Sequence, residues 1–223
     1  MSRFEERRKD RGQRRYGFRQ PRANSYLIIT EGESTEPNYF NGLRALILKK
    51  IGGNVDVINI PQIDVKGTGR STSKLIEEVE RIINKSKIIY QNIWVVFDKD
   101  DFFDFDVAIE LGKKNGYSVA WSNQSFEYWL FLHFHYSDVA LHRDNWIGKL
   151  NDLFKQLNLN GGVYSKTCPD IFKIVDCNNG ANEAIKNAKR RMKNFNPDTD
   201  KPSEYDPGTT VYRLVEELKS YLE

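Results

Sequence analysis

Cysteine is scarce in this chain, which has only Cys168 and Cys177 among 223 residues. The two are not arranged as a Cys-x-x-Cys pair, which argues against a thiolate metal site or a disulfide framework and suits a reducing cytoplasm. Long apolar runs are also missing, since none approaches the roughly 18 to 20 residues of a membrane-spanning helix. No apolar segment follows the N-terminal arginines, so no secretory signal is predicted. We therefore expect a cytoplasmic protein that does not contact membranes.

What the chain does contain is enough apolar material for a packed core. Hydrophobic residues make up 39% of it and charged residues 29%. Residues 1–22 hold nine Lys and Arg, and this basic arm either seeks phosphate groups or is simply a solvated terminus. We predict that residues 23–135 form the core domain and that residues 136–223 form a helical part packed on it.

Alternating strand and helix patterns predict an α/β fold, with a parallel sheet of about four strands flanked by helices and a helical C-terminal extension. Strands are predicted at residues 26–29, 54–60, 93–97 and 117–121, with a loop at 64–70. Helices are predicted at residues 36–50, 75–83, 107–114, 126–134, 146–157, 182–195 and 209–222. The continuous apolar run at 93–97 is typical of a central strand that is buried on both faces.

Acidic residues follow the first and third predicted strands. Glu31 comes directly after the first, and Asp98 and Asp100 come after the third. Ligands of open parallel sheets bind beyond the carboxyl ends of the strands, so these side chains should meet at one edge. Carboxylates about 4 Å apart repel by roughly 4 kcal/mol per pair at an effective dielectric near 20. Protons or a divalent cation must offset that, and Mg²⁺ or Mn²⁺ suits such a carboxylate set. The alternative is that Asp98 and Asp101 only cap the helix that follows them and that Glu31 is a solvated loop residue.

Other residues are weaker candidates for the same site. Glu127 is either a fourth acid of the site or a helix-start residue favoured by the dipole. Lys166 is either a catalytic cation that compensates the acids or an ordinary surface lysine. The candidate substrate-binding residues are Glu36, Asn123, Lys66, Gly67 and Arg70. Three of these, Lys66, Gly67 and Arg70, lie in a glycine-containing loop that could cradle a phosphate, although the loop lacks Walker A spacing.

Two further features can be interpreted either as ligand-binding elements or as purely structural ones. Phe102, Phe103 and Phe105 lie beside the acids, and they either stack on a nucleobase or anchor the loop. The basic residues from Lys186 to Lys193 have helical spacing, and they either line a groove or form a solvated helix face.

Three segments carry a resemblance to a known family. They are Glu-Gly-Glu-Ser-Thr-Glu-Pro-Asn-Tyr-Phe at 31–40, Val-Phe-Asp-Lys-Asp-Asp at 96–101 and Ser-Asn-Gln-Ser-Phe-Glu-Tyr-Trp-Leu-Phe-Leu-His-Phe at 122–134. Their words, order and spacing resemble the RloB family of bacterial defence proteins. The resemblance runs from about residue 25 to the C-terminus, where residues 206–215 are similar to the closing segment of that family.

That family resembles Toprim-type domains, a metal-dependent phosphoryl-transfer fold with one glutamate after the first strand and an Asp-x-Asp pair after the third. Glu31, Asp98 and Asp100 match those positions, and the resemblance therefore implies that residues 23–135 are a Toprim-like catalytic core. The resemblance implies a Mg²⁺- or Mn²⁺-dependent nuclease that acts with an ABC-type ATPase in abortive infection or restriction-linked phage defence. RNA, tRNA included, is favoured over DNA as the substrate, and a homo-oligomer is compatible with it.

Two alternatives stay open. The chain could be a non-enzymatic interaction subunit of the ATPase, in which the acids bind a structural cation. The strand before Asp98 also superficially resembles the nucleophile strand of aspartyl phosphatases, although nothing in that alternative gives Glu31 a role.

Overall fold

The structure, a computed structural model, describes residues 20–21, 24–51, 62–69 and 72–223. The strands are β1 Gln20–Pro21, β2 Ser25–Thr30, β3 Gln62–Gly67, β4 Ile88–Ile89, β5 Asn92–Asp98, β6 Ser118–Asn123 and β7 Gly208–Thr209. The helices are α1 Thr35–Ile51, α2 Thr72–Lys85, α3 Phe105–Lys114, α4 Phe126–Phe131, α5 Arg143–Gln156, α6 Ile171–Val175, α7 Gly180–Met192 and α8 Val211–Lys219. No helix in these residues is long and apolar enough to cross a bilayer.

The central sheet positions everything else. Within the described residues it has five strands in the order β3-β2-β5-β6-β7. The first four are parallel, and β7 runs antiparallel to β6. A separate parallel pair joins β1 to β4. This confirms the predicted α/β fold and places the strand at 93–97 in the middle of the sheet.

Two apolar layers cover the two faces of this sheet. Alternate residues of a strand point to opposite faces, and β2 accordingly contributes Tyr26 and Ile28 to one core and Leu27 and Ile29 to the other. The first core includes residues of α1 and of the helices after β6, and the second includes residues of α2 and α3. Most of the helical residues beyond residue 124 therefore pack against the same face of the sheet as α1, whereas Met192 at the end of α7 joins the second core.

Helix α1 begins close to the carboxyl end of β2. Pro37 lies in its first turn, where a missing N–H costs no helical hydrogen bond. Glu36 in the first turn and Lys49 and Lys50 in the last turn suit the helix dipole. Four residues, 31–34, connect β2 to α1. The glutamate-rich segment is thus a short turn at the edge where the parallel strands end.

Strand β3 lies later in the sequence than the strand predicted at 54–60. Residues 64–67 were predicted as a loop, but they belong to β3, which pairs with β2 along its whole length. Ile63 is buried, whereas Lys66 and Gly67 are exposed. This edge strand therefore lacks the continuous apolar run that indicates a central strand. The strand predicted at 54–60 lies outside the described residues.

The C-terminal region was predicted to be entirely helical, and this was wrong at one point. Gly208 and Thr209 form β7, and the Thr209 hydroxyl lies 3.1 Å from that of Ser122. Thr210 continues the connection, because its N–H donates to the Trp121 carbonyl at 2.8 Å and its hydroxyl accepts from the Trp121 N–H at 3.0 Å. A two-residue strand is too short to give a periodic signal.

We predict that Gly67→Ala destabilises the protein by displacing the turn that carries Glu31. A Cβ at Gly67 would lie 2.7 Å from the Gly32 carbonyl oxygen and 2.9 Å from Glu33 Cα, and this backbone can yield only by shifting. Overpacking of this kind costs about 1 to 3 kcal/mol, which would lower the melting temperature by roughly 2 to 12 °C.

Gly148→Ala is the matched control. A Cβ at Gly148, within α5, meets nothing within 4 Å, and alanine there should stabilise the helix by about 1 kcal/mol. Equal melting shifts in the two variants would contradict the close approach at Gly67.

Candidate active site

Glu31 is fixed by backbone hydrogen bonds to β5 on one side and to the segment that follows β3 on the other. Its N–H donates to the Val96 carbonyl at 2.9 Å, and its carbonyl accepts from the Gly69 N–H at 2.9 Å. Its side chain turns inward, and Oε2 accepts from the Asp98 N–H at 3.2 Å. The structure thus brings the predicted glutamate and the predicted aspartate segment together at one edge.

Asp98 and Asp100 are held against β6. The Lys99 N–H donates to the Ser122 carbonyl at 2.9 Å, and the Asp100 N–H donates to the Gln124 carbonyl at 3.0 Å. Asp98 Oδ2 accepts from the Phe126 N–H at 2.8 Å, so Asp98 binds the start of α4 and not of α3, the helix that follows it directly in the sequence. Its other oxygen, Oδ1, is buried without a hydrogen-bond partner. Capping of α4 therefore uses only one of the two carboxylate oxygens of Asp98.

Burial and mutual repulsion raise the pKa values of these acids. Burial raises the pKa of Glu31 to about 8, and nearby Asp100 and Glu36 add to the rise. Burial, then the charges of Glu36 and Glu127, raises the pKa of Asp98 well above its usual value. The pKa of Glu36 is also raised, first by burial and then by Glu127. The five side chains form the acidic cluster: Glu31, Glu36, Asp98, Asp100 and Glu127.

Glu127 is buried and has two partners from the C-terminal region. The Tyr164 hydroxyl donates to Glu127 Oε1 at 3.0 Å, and Lys166 Nζ lies 3.1 Å from the same oxygen. Burial opposes protonation of Lys166, but the Glu127 carboxylate outweighs it and raises the pKa of the amine. The Thr35 hydroxyl donates to the Lys166 carbonyl at 3.0 Å, which fixes this loop against α1. Lys166 thus lies where its charge can compensate that of Glu127.

Arg143 was not predicted, and it is the second cation that the described part of the chain pairs with these acids. It is the first residue of α5, and its Nη1 lies 3.1 Å from Asp100 Oδ1. Its Nη2 lies 3.3 Å from Asp101 Oδ2. No local sequence signal links an arginine on a later helix to this loop, whereas Tyr164 could have been suspected from its position two residues before Lys166.

The acidic cluster fits a hard divalent cation in its chemistry. All its donors are carboxylate oxygens, which Mg²⁺ and Mn²⁺ prefer, and the buried Asp98 Oδ1 lacks a partner. Within residues 24–51, 62–69 and 72–223, however, no three acidic, histidine or cysteine side chains are arranged to hold one ion. Asp100 is instead turned to Arg143, and Glu36 Oε1 accepts from the Gly32 N–H at 3.3 Å. A shared ion would require some of these side chains to exchange partners.

The remaining predicted residues are placed differently. Lys66 and Gly67 are the last residues of β3, and Gly67 pairs in register with Thr30. Both therefore lie at the same edge of the sheet as Glu31. Arg70 lies outside the described residues. The Asn123 amide donates to the carbonyls of Pro202 and Ser203, both at 3.0 Å. Asn123 therefore holds the 202–203 segment, and its Oδ1 is buried without a partner.

The aromatic residues beside the acids separate into different environments. Phe105 is buried in the core against Phe97 and Trp121. Phe102 is half-buried, whereas Phe103 is fully exposed, with 105% relative accessibility. Only Phe103 offers a free ring face to a ligand within this stretch.

The basic residues of α7 are largely engaged with neighbours. Lys189 pairs with Glu216, and Lys186 Nζ lies 3.4 Å from Glu183 Oε2. The Arg190 guanidinium lies 3.9 Å from the centroid of the Tyr136 ring. These contacts favour a structured, solvated helix face over an open groove.

One comparison with known proteins gives a match. A family model described as RloB-like protein matches residues 26–218, which include every described residue of the acidic cluster. No curated protein and no solved structure gives a match. The match covers most of the chain.

The raised pKa of Glu31 predicts that the protein loses stability as pH rises. An unfolded glutamate titrates near 4.5 and folded Glu31 near 8, so between these values the folded state retains a proton that the unfolded state has released. The free energy of unfolding in EDTA should therefore fall across this window by up to about 1.4 kcal/mol per pH unit for this group. Urea titrations at pH 5, 6.5 and 8 measure it.

Glu31→Gln should flatten this dependence, because glutamine does not titrate. Glu110→Gln, which removes a surface carboxylate paired with Lys113 at 2.8 Å, controls for the loss of one negative charge. A slope that is the same in wild type and Glu31→Gln would refute the contribution of Glu31.

Proposed function

The chain belongs to the RloB-like protein family, and from this premise and the acidic cluster we propose that it is a metal-dependent nuclease. Its substrate would be RNA, with tRNA a candidate. It would act as the toxic effector of an anti-phage defence system together with an ABC-type ATPase. The observation that carries the enzymatic part is the acidic cluster at the carboxyl edge of the sheet, with its raised pKa values and the unpartnered Asp98 Oδ1. The ATPase and the defence role rest on the family resemblance.

In this proposal Glu31, Asp98 and Asp100 hold Mg²⁺ or Mn²⁺. A cation bound there would lower the pKa of a water and neutralise charge that develops on a phosphodiester. The chain's own contribution begins with the rigidity of the glutamate, since the Glu31 backbone is bonded to residues on both sides. Such fixed placement is what a site needs in order to orient a reacting phosphate.

Lys166 would act on the phosphate as a cation. Its side chain is 55% exposed while its amine contacts the buried Glu127. Because the raised pKa keeps the amine protonated, Lys166 is suited to stabilise negative charge on the phosphate and not to act as a base. Glu127 and Tyr164 would position it.

Phe103 favours an unpaired strand as the substrate. A fully exposed phenylalanine three residues after Asp100 offers a ring face on which a base can stack, and only unstacked bases expose a face for this. Duplex nucleic acid has no such base available.

Expression of the wild type should produce new RNA ends that Glu31→Gln does not produce. Glutamine keeps the size of the side chain but removes the charge that would bind the cation. Sequencing of total RNA and DNA ends after induced expression tests this and identifies the substrate. Ends that are identical in the two strains would reject the nuclease and favour a non-enzymatic subunit with a structural cation.

A melting curve with and without Mg²⁺ checks the metal separately. Wild type should melt at a higher temperature with Mg²⁺, because a ligand that binds only the folded state stabilises it. Asp98→Asn should lose this gain. Asparagine is chosen because Asp98 Oδ2 also accepts the Phe126 N–H, and an asparagine oxygen can keep that bond.

Phe103→Ala should weaken binding of a single-stranded oligoribonucleotide. Loss of one stacked base costs about 1 to 3 kcal/mol, which corresponds to roughly a 5- to 150-fold higher Kd by fluorescence anisotropy. Val107→Ala is the control, since Val107 is exposed nearby on α3 but has no ring. If both variants bind as the wild type does, Phe103 has no stacking role.

A further inference from the structure

Arg143 forms a fork across two neighbouring carboxylates. One guanidinium nitrogen contacts Asp100 at 3.1 Å and the other contacts Asp101 at 3.3 Å. The two acids differ in exposure, since the side chain of Asp100 is 29% exposed and that of Asp101 is 74% exposed. The fork therefore joins a half-buried member of the acidic cluster to an acid on the protein surface.

The position of Arg143 makes this contact reversible. The arginine side chain is itself 35% exposed at the start of α5, so it can leave without opening the core. Ion pairs in such partly exposed positions contribute little to stability. The pair is therefore poorly explained as a structural link between α5 and the loop of Asp100.

Lys166 provides a contrast. Its partner Glu127 is only 3% exposed and also accepts from Tyr164. A buried carboxylate that loses its cation is costly, because it remains without compensation. Of the two cations paired with the acidic cluster in the described residues, Arg143 is thus the one that can be exchanged.

Arg143 also competes for a carboxylate that the proposed metal needs. A divalent cation on Asp100 would withdraw the negative charge that holds the guanidinium and would repel it as a like charge. The released guanidinium would stay beside the site, since α5 fixes its Cα. A planar guanidinium binds phosphate oxygens through two parallel hydrogen bonds, and the next negative group to arrive is the substrate.

We propose that Arg143 is an exchangeable counter-cation: it neutralises Asp100 until a metal binds there, and it is then transferred to a phosphate of the nucleic-acid substrate. This inference rests on the proposed function and adds the residue that recognises the phosphate. It also explains why the carboxylates of the cluster are turned to protein donors and not to a common point.

The first experiment measures binding of Mn²⁺ alone by calorimetry at fixed ionic strength. Arg143→Gln should bind Mn²⁺ at least about fivefold more tightly than the wild type, because it removes a cation that competes with Mn²⁺ for Asp100. About fivefold is the lower end of the usual change in affinity that one bound group causes in another. Arg143→Lys keeps the charge but loses the fork, and it should give an intermediate affinity. Arg81→Gln is the control, since Arg81 pairs with Glu78 on α2 at 3.3 Å, and it should bind as the wild type does.

The second experiment measures binding of a labelled single-stranded oligoribonucleotide with Ca²⁺ in place of Mn²⁺, with a gel to verify that the probe stays intact. The plot of log K against log salt has a negative slope. If Arg143 contacts one phosphate, this slope should be less steep by about 0.7 in Arg143→Gln than in wild type. Arg81→Gln should keep the wild-type slope.

The outcomes are distinct. Wild-type Mn²⁺ binding with equal or weaker binding in Arg143→Gln overturns the exchange and leaves the proposed function intact, because Arg143 would then support the site. Tighter Mn²⁺ binding with an unchanged salt slope overturns the transfer to phosphate. Absence of Mn²⁺ binding by the wild type overturns both the proposed function and this inference.

Discussion

Repulsion between carboxylates at one edge of a sheet is the constraint on which the site depends. Parallel strands end at the same edge, so acids placed after β2 and β5 must converge there. At about 4 Å each such pair costs roughly 4 kcal/mol at an effective dielectric near 20. Three devices reduce this cost: burial favours the protonated forms of Glu31 and Asp98, backbone N–H groups bind carboxylate oxygens, and two cations form ion pairs.

Both cations come from beyond residue 135. Arg143 is the first residue of α5, and Lys166 lies in the loop that Thr35 binds to the start of α1. The same region supplies β7, which joins the sheet beside β6. The C-terminal region therefore completes both the sheet and the charge balance of its acidic edge, and a fragment that ended near residue 135 would leave Asp100 and Glu127 without these partners.

The sequence was informative where a local pattern and a general rule acted together. The apolar runs predicted β2 and β5, and the rule that ligands bind at the carboxyl ends of parallel strands predicted that Glu31 would meet Asp98. It was uninformative where contacts join distant segments. The pairing of Arg143 with Asp100 has no local signal, β3 has only two apolar residues other than glycine, Ile63 and Val65, and β7 has only two residues.

The charge balance of the edge also bears on how a nucleic acid could approach it. Glu31, Glu36 and Asp98 have no cation within ion-pair distance in the described residues, because Arg143 and Lys166 pair with Asp100 and Glu127. A phosphodiester would add another negative charge to the same edge and would be repelled by it. Protons could neutralise the acids, but a neutral edge still lacks a group that attracts phosphate. Under the proposed function, a divalent cation would both relieve the acids and attract the phosphate, and it would free Arg143 if it took Asp100, whereas protonation would only relieve the acids.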